Sequence, residues 1–197
     1  YMKFTDEEKR MLDGEFGEAI QYSMQILLKL GDMYDAERLV EIHSAHLAVT
    51  YPHFWASIDL VESFATKGGR VKVPSTVNAA HWPTNFNRWP GLPESSEHIE
   101  RAQRMLNAVE KMGAVMTCSC IPYLHGNLPR FGENVAWTES SAISFANSVL
   151  GARANRLTDG LDKAAAIAGK IPCFGLLLEE NRKGNASVRV EYLPRNL

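Results

Sequence analysis

The chain has 197 residues, 45% of them hydrophobic and 22% charged, with a formal net charge of -2. That length supports one large α/β domain or one and a half smaller ones, and no apolar run approaches the roughly 18 to 20 residues that a bilayer span requires. The 21 basic and 23 acidic residues are dispersed, so no basic stripe exists to neutralise phosphates, and neither a nucleic acid nor a membrane is expected as partner.

The opening stretch, YMKFTDEEKRMLDGE, is acidic and amphipathic, unlike the basic segment and apolar block of a secretory leader. The expected compartment is the cytoplasm, where three cysteines, an odd number at low density, stay reduced.

Thr5 followed by Glu8 has the spacing of a capping box, with Met11, Leu12 and Phe16 beginning an apolar face behind it. From Glu18 to Leu30 apolar residues recur at helical spacing, and Gly31 is the expected stop. Asp35 to Val40 reads as a short helix running into a strand, and EIHSAHLAV (41–49), which carries His43 and His46, as a strand. Phe54 to Thr66 is helical by spacing. In RVKVPSTVN (70–78) Val71 and Val73 alternate with Arg70 and Lys72, predicting a strand that stops at Pro74. Residues 79–95, with three prolines and two tryptophans, predict a long surface or site-covering loop. Glu97 to Met112 is the clearest helix, and AVMTCSC (114–120) reads as a short buried strand. After the connector HGNLPRFGEN, the stretch 138–156 is expected to be helical, capped by Thr138 with Glu139 in its first turn. An Ala-rich helix from Asp162 to Ala168, a buried strand KIPCFGLLL and a last strand SVRVEYL complete the series. The alternation predicts an α/β layered domain with a largely parallel sheet flanked by helices.

In open α/β sheets sites gather where loops leave the carboxyl ends of strands. Three polar clusters sit at such places: STVN (75–78), TCSCIPY (117–123) and NSVLGAR (147–153). Within a strand Cys118 and Cys120 would point to opposite faces, one toward a site and one into packing. Spacing leaves three readings of these thiols open: buried small hydrophobes, ligands of a soft metal, or a nucleophile paired with His125 or His46. Glu139, Ser140 and Ser141 open a helix whose free N–H groups favour an anion; Arg153 and Arg156 lie further along, and a helix carrying Ser148 and Arg153 could hold an acidic substrate. The alternative is a solvated helix face, and for His43 and His46 simple packing or a surface position.

Taken in order, FTDEEKRMLDGEFGEAIQYSMQILLKLGD, AERLVEIHSAHL, VKVPSTVNA, MGAVMTCSCIPYLHGNLPRFGENVAWTESSAISFANSVLGARANR and AGKIPCFGLLLEENR resemble the aconitase X family over nearly the whole chain. The resemblance implies an aconitase-like fold and a hydro-lyase that dehydrates a small hydroxy acid through an iron-sulfur cluster or a mononuclear iron. The implied substrate is cis-3-hydroxy-L-proline. The alternatives are mevalonate 5-phosphate, or a non-catalytic aconitase-like subunit that binds a partner chain. Residues 1–197 would form the N-terminal part of the catalytic large region, its partners being the remaining half of that region and a small swivel domain or subunit. Ser119-Cys120-Ile121-Pro122-Tyr123 is similar to the family's TC-x-PY motif, which implies Cys120 as a metal ligand and leaves Cys118 as an extra thiol. Glu139 and Ser140 are implied in catalysis, and Thr76, Asn78, Asn147, Ser148, Arg153 and His46 in substrate binding. Leu177 stands where many relatives carry a histidine, and further cysteine ligands are expected beyond the matching region.

Overall fold

The structure, a computed structural model, describes residues 2–49, 55–78 and 96–190, without the side chain of His98. The expected loop 79–95 and the end of SVRVEYL lie outside the described residues, and residues 187–190 form no strand.

Helix α1 (Asp6–Leu12) starts at the expected capping box: Glu8 N donates to Thr5 Oγ1 at 3.2 Å and Thr5 N to Glu8 Oε2 at 2.8 Å. Helix α2 (Glu18–Met33) runs through Gly31 instead of stopping there. A Cβ on Gly31 would stand 1.7 Å from Met2 Cε and 3.5 Å from Pro172 Cβ. The glycine therefore permits close packing and does not end the helix. No helix forms over 35–40; Asp35 turns at φ +51 and the chain straightens into β1 (Leu39–Glu41). Strand β1 pairs antiparallel with β5 (Lys170–Pro172), Val40 opposite Ile171. The stretch read as one strand over 41–49 is divided, with β2 (Ser44–Leu47) in a different sheet.

That second sheet is parallel, in the order β3-β2-β4, with β3 at Ser75–Val77 and β4 at Val135–Trp137. The strand expected before Pro74 does not form. Val71 N bonds Met112 O and Lys72 N bonds Ala166 O, so that segment is tied to helix ends and strand pairing begins only after the proline. Every residue of β2, β3 and β4 is buried, which a parallel sheet covered on both faces requires. Alternation sorts the two faces. Ala45, Leu47, Val77 and Ala136 join the main core with α2 and the alanines of α6 (Leu161–Ala168), whereas Val135 and Trp137 pack with Ala142, Ile143 and Ala146 of α5 (Ser140–Ser148). Helices α3 (Trp55–Thr66) and α4 (Ser96–Lys111) are tied by Arg104, which donates to Glu62 at 2.8 and 2.6 Å.

Residues 114–120 do not form the expected strand. Val115 N donates to Ser75 O at 2.8 Å, after which the Thr117 hydroxyl replaces a rung, accepting from Val77 N at 3.2 Å and donating to Val77 O at 2.8 Å. Cys118 then turns at φ +45. Strand alternation is lost there, so it no longer separates Cys118 from Cys120, and both are half-buried.

Helix α5 starts one residue later than expected, with Glu139 rather than Thr138 as N-cap, and ends at Ser148. Arg153 and Arg156 are consequently not on it. Only Lys170–Pro172 of KIPCFGLLL is strand, because Gly175 at φ +56 opens a 3-10 turn over Gly175–Leu177.

Candidate active site

The chain runs from β2 to β3 on one side, then crosses to β4 on the other, so the loops after β2 and β4 diverge. Such a switch point at the carboxyl edge of a parallel sheet opens a crevice. A cleft of about 640 Å³ lies there, lined by Ala48, Asn78, Thr138, Glu139, Ser140 and Arg156 among others.

The sheet register sets His46 between Thr76 and Trp137 in one row. His46 is fully buried. Its Nδ1 is 2.9 Å from Thr76 Oγ1, which accepts from Asn127 Nδ2 at 2.9 Å; the same amide donates to Ala45 O at 2.8 Å. On its other side His46 Nε2 is 3.7 Å from Glu139 Oε2, and neither atom, nor Asn127 Oδ1, has a hydrogen-bond partner among the described residues. Burial pushes the His46 pKa down to about 4, so the imidazole is neutral at pH 7.

Glu139 joins β4 to α5 at φ +77, ψ 124, where side chains are rarely tolerated. Strain of this kind costs on the order of 1–3 kcal/mol and gathers at functional sites. A pair of variants tests it. Glu139→Gly is expected to be about 1–2 kcal/mol more stable than Glu139→Ala in urea unfolding, since both lack the carboxylate and only glycine accepts the turn. Equal stabilities would show that the turn stores no strain.

Asn78 is buried where β3 leaves the sheet; its Oδ1 accepts from Val49 N at 3.0 Å, holding the ends of β2 and β3 together. Ser140 is exposed on the cleft wall. Of the six residues expected to bind substrate, Asn78 lines this cleft, His46 and Thr76 are buried within the sheet, and Asn147, Ser148 and Arg153 lie elsewhere. Asn147 donates to Ile143 O and Ala154 O, both at 2.9 Å, and accepts from Arg182 Nη1 at 2.9 Å. Ser148 back-bonds to Ser144 O within its helix. Arg153 is drawn away because the chain beyond α5 runs beside residues 133–135, and its guanidinium donates to Leu177 O at 3.0 Å and pairs with Glu179. Arg156 is the cation of that segment at the cleft.

The sequence reading overlooked Asn127 and a buried charge cluster behind the cleft. Lys163, fully buried, bonds Ala48 O, Asp159 and Asp162. Asp162, also fully buried, accepts from Ala48 N at 2.6 Å, Gly160 N at 3.0 Å and Lys163 N at 2.8 Å. Both polar groups of Ala48, the first residue past β2, are thereby gripped. Burial pushes the Asp162 carboxyl up; it also opposes the Lys163 charge, but Asp162 and Asp159 outweigh it and hold that ammonium above its ordinary value. The i,i+4 spacing of Asp159 and Lys163 was the available signal.

Among the described residues no three of His, Cys, Asp and Glu converge as a metal ion would require. Iron-sulfur clusters take several thiolates, so the residues present do not by themselves fit a cluster or a mononuclear iron, and Cys120 would be a single ligand.

A family model described as the aconitase X first domain matches residues 1–180. The chain belongs to the aconitase X family. It is 47% identical over 186 residues to the phosphomevalonate dehydratase large subunit of Methanothermobacter thermautotrophicus, covering 93% of this chain and 46% of that protein. Against the cis-3-hydroxy-L-proline dehydratase of Pseudomonas aeruginosa the identity is 36% over 186 residues, with 94% and 32% covered. The crystal structure of Thermococcus kodakaraensis aconitase X in its holo form superposes with a TM-score of 0.81 at 44% identity, covering 92% of this chain and 45% of that one. The aconitase-like α/β fold expected from the sequence is thus present. The chain spans about half the length of the large subunits it matches, and about a third of the hydroxyproline enzyme. No helix among the described residues is long and apolar enough to cross a membrane.

Proposed function

We propose that this chain is the N-terminal part of the large region of a hydro-lyase that dehydrates a small hydroxy acid, with Glu139 as the base that removes the proton next to the carboxylate. The supporting observation is the placement of Glu139. A strained turn holds it in the cleft wall with its side chain 23% exposed, while Oε2 is buried beside a neutral His46. Dehydration next to a carboxylate needs such a base and an anchor for the acid. Arg156 and the free N–H groups at the start of α5, around Ser140, supply the anchor. Thr76 and Asn78 shape the strand ends beneath it. Asn147, expected to bind substrate, ties α5 to residues 176–182 through Arg182, Arg153 joins the segment after α5 to Leu177 and Glu179, and Ser148 bonds within its own helix.

Cys120 is proposed as one ligand of an iron or iron-sulfur centre whose other ligands lie outside this chain. The remaining half of the large region and a small subunit are the proposed partners, in keeping with the name "large subunit" carried by relatives. Cis-3-hydroxy-L-proline is the substrate first implied by the sequence. The higher identity to the phosphomevalonate dehydratase subunit, 47% against 36%, favours mevalonate 5-phosphate as the second reading.

The test uses the complete protein, purified without oxygen and incubated with each acid. One of the two should be dehydrated. Glu139→Gln should lower kcat about 10²–10⁴-fold, and Cys120→Ala but not Cys118→Ala should lose iron. Undiminished turnover in Glu139→Gln removes the base assignment; equal iron in the two cysteine variants removes the ligand.

A further inference from the structure

We infer that Asn127, acting through Thr76, locks His46 in the tautomer that carries its proton on Nε2, so that His46 serves as a fixed hydrogen-bond donor to Glu139 and not as a base. The inference rests on the reading of Glu139 as the base, and it makes Asn127 and Thr76 positioning residues.

The argument is an accounting of hydrogens. Ala45 O can only accept, and it lies 2.8 Å from the Asn127 amide, which fixes that end of the amide as the NH₂ group. The second hydrogen of the same nitrogen goes to Thr76 Oγ1 at 2.9 Å. Thr76 has one hydrogen of its own, and His46 Nδ1 stands 2.9 Å away.

Two arrangements are then open. If Nδ1 carried the proton, Thr76 Oγ1 would accept twice while its own hydrogen had no acceptor among the contacts described. The bare lone pair of Nε2 would also face the Glu139 carboxylate, acceptor against acceptor. If Thr76 donates to Nδ1, the hydrogens of Asn127 Nδ2 and Thr76 Oγ1 all have acceptors, and Nε2–H is left beside Glu139 Oε2, a donor facing an acceptor. The hydrogen bond at one imidazole nitrogen sets the proton on the other. Asn127, Thr76 and His46 are 4%, 5% and 0% exposed, so water does not compete for these positions.

The 3.7 Å between Nε2 and Oε2 exceeds hydrogen-bond length. A shift of the Glu139 side chain by under about 1 Å closes it, and apo geometries of catalytic pairs are often long in this way. Once closed, the bond holds one carboxylate oxygen in place and leaves the other for the substrate proton.

Long-range proton–nitrogen correlation spectra of the complete protein, labelled with ¹⁵N-histidine, read the tautomer directly, with His46→Gln assigning the signal. The expected pattern is a protonated Nε2 and a bare Nδ1 at neutral pH. Thr76→Val should mix or reverse the tautomers and lower kcat about 10- to 100-fold with KM changed less than about twofold, Asn127→Leu should act in the same direction, and Thr76→Ser should restore both readouts. A proton on Nδ1 in the unmodified protein, or a tautomer indifferent to Thr76→Val, overturns the inference. A changed tautomer with unchanged kcat overturns the positioning role. Because the tautomer is read without turnover, a failure of Glu139 as the base shows separately, in the activity of Glu139→Gln.

Discussion

Replacing Lys163 with methionine is expected to cost the fold about 3–5 kcal/mol at pH 7, seen as a lower urea midpoint at unchanged slope. The magnitude follows from what methionine leaves behind. It matches much of the apolar stem of lysine, so packing changes little, but Asp162 remains fully buried without its cation and Asp159 loses the partner of its Oδ1. Removing one member of a buried pair strands the other charge, which is far costlier than never having buried either. Ala48 O also loses its donor at the point where β2 enters the cleft. The pH dependence has a definite sign. Burial already raises the Asp162 pKa, and Lys163 is the main influence opposing that rise; without the lysine the carboxyl rises further. A carboxyl with a raised folded pKa destabilises the fold as pH climbs above its unfolded value near 4. The deficit of Lys163→Met should therefore be largest near neutrality and shrink on acidification. A loss under about 1 kcal/mol at pH 7 would mean that the buried cluster does not hold the end of β2.

What could be read from the sequence follows from length and locality. Helices α1 to α4 and α6 carry several turns of apolar periodicity or a local cap, and each was predicted within a few residues. The strands are three or four residues long and those of the parallel sheet are buried on both faces, so β4, Val-Ala-Trp, shows no alternation and went unpredicted, while the visible alternation of Arg70 to Val73 belonged to a segment tied to helix ends. The strand-end cluster of Thr76 and Asn78 and the helix start at Glu139 and Ser140 were legible because a parallel sheet collects such residues at one edge. His46 was read without its setting, since only the sheet register puts it beside Thr76. Asn127 left no signal: it sits in a Gly/Pro-rich connector, and its partners Ala45 and Thr76 are 82 and 51 residues away. Arg153 misled for the opposite reason. A helix extended through 156 would have carried it along α5, but the helix ends at Ser148 and the chain turns back along β4.

Between pH 6.5 and 4 the protein is expected to lose about 3 kcal/mol of stability through His46 alone, and a His46→Gln variant should lack that part of the slope. The sign follows from the direction of the shift. Burial lowers the folded pKa of His46 from 6.5 to about 4, so below 6.5 the unfolded chain takes up a proton that the native state refuses. Stability from the neutral imidazole is fully present above 6.5, falls by about 1.4 kcal/mol per pH unit through the window, and levels off below 4. Carboxylates titrate at the acid end as well, so the informative quantity is the difference between unmodified protein and variant, measured by urea unfolding at pH 7, 5.5 and 4. If the two lines run parallel, His46 protonates in the folded state as readily as in the unfolded one. That would require an acceptor for its second proton, and Glu139 at 3.7 Å is the group placed to serve. The slope therefore reports on the same contact as the tautomer: a full slope means that His46 stays neutral beside Glu139 and acts as a donor only, whereas a missing slope means that the two form an ion pair that keeps its proton in acid.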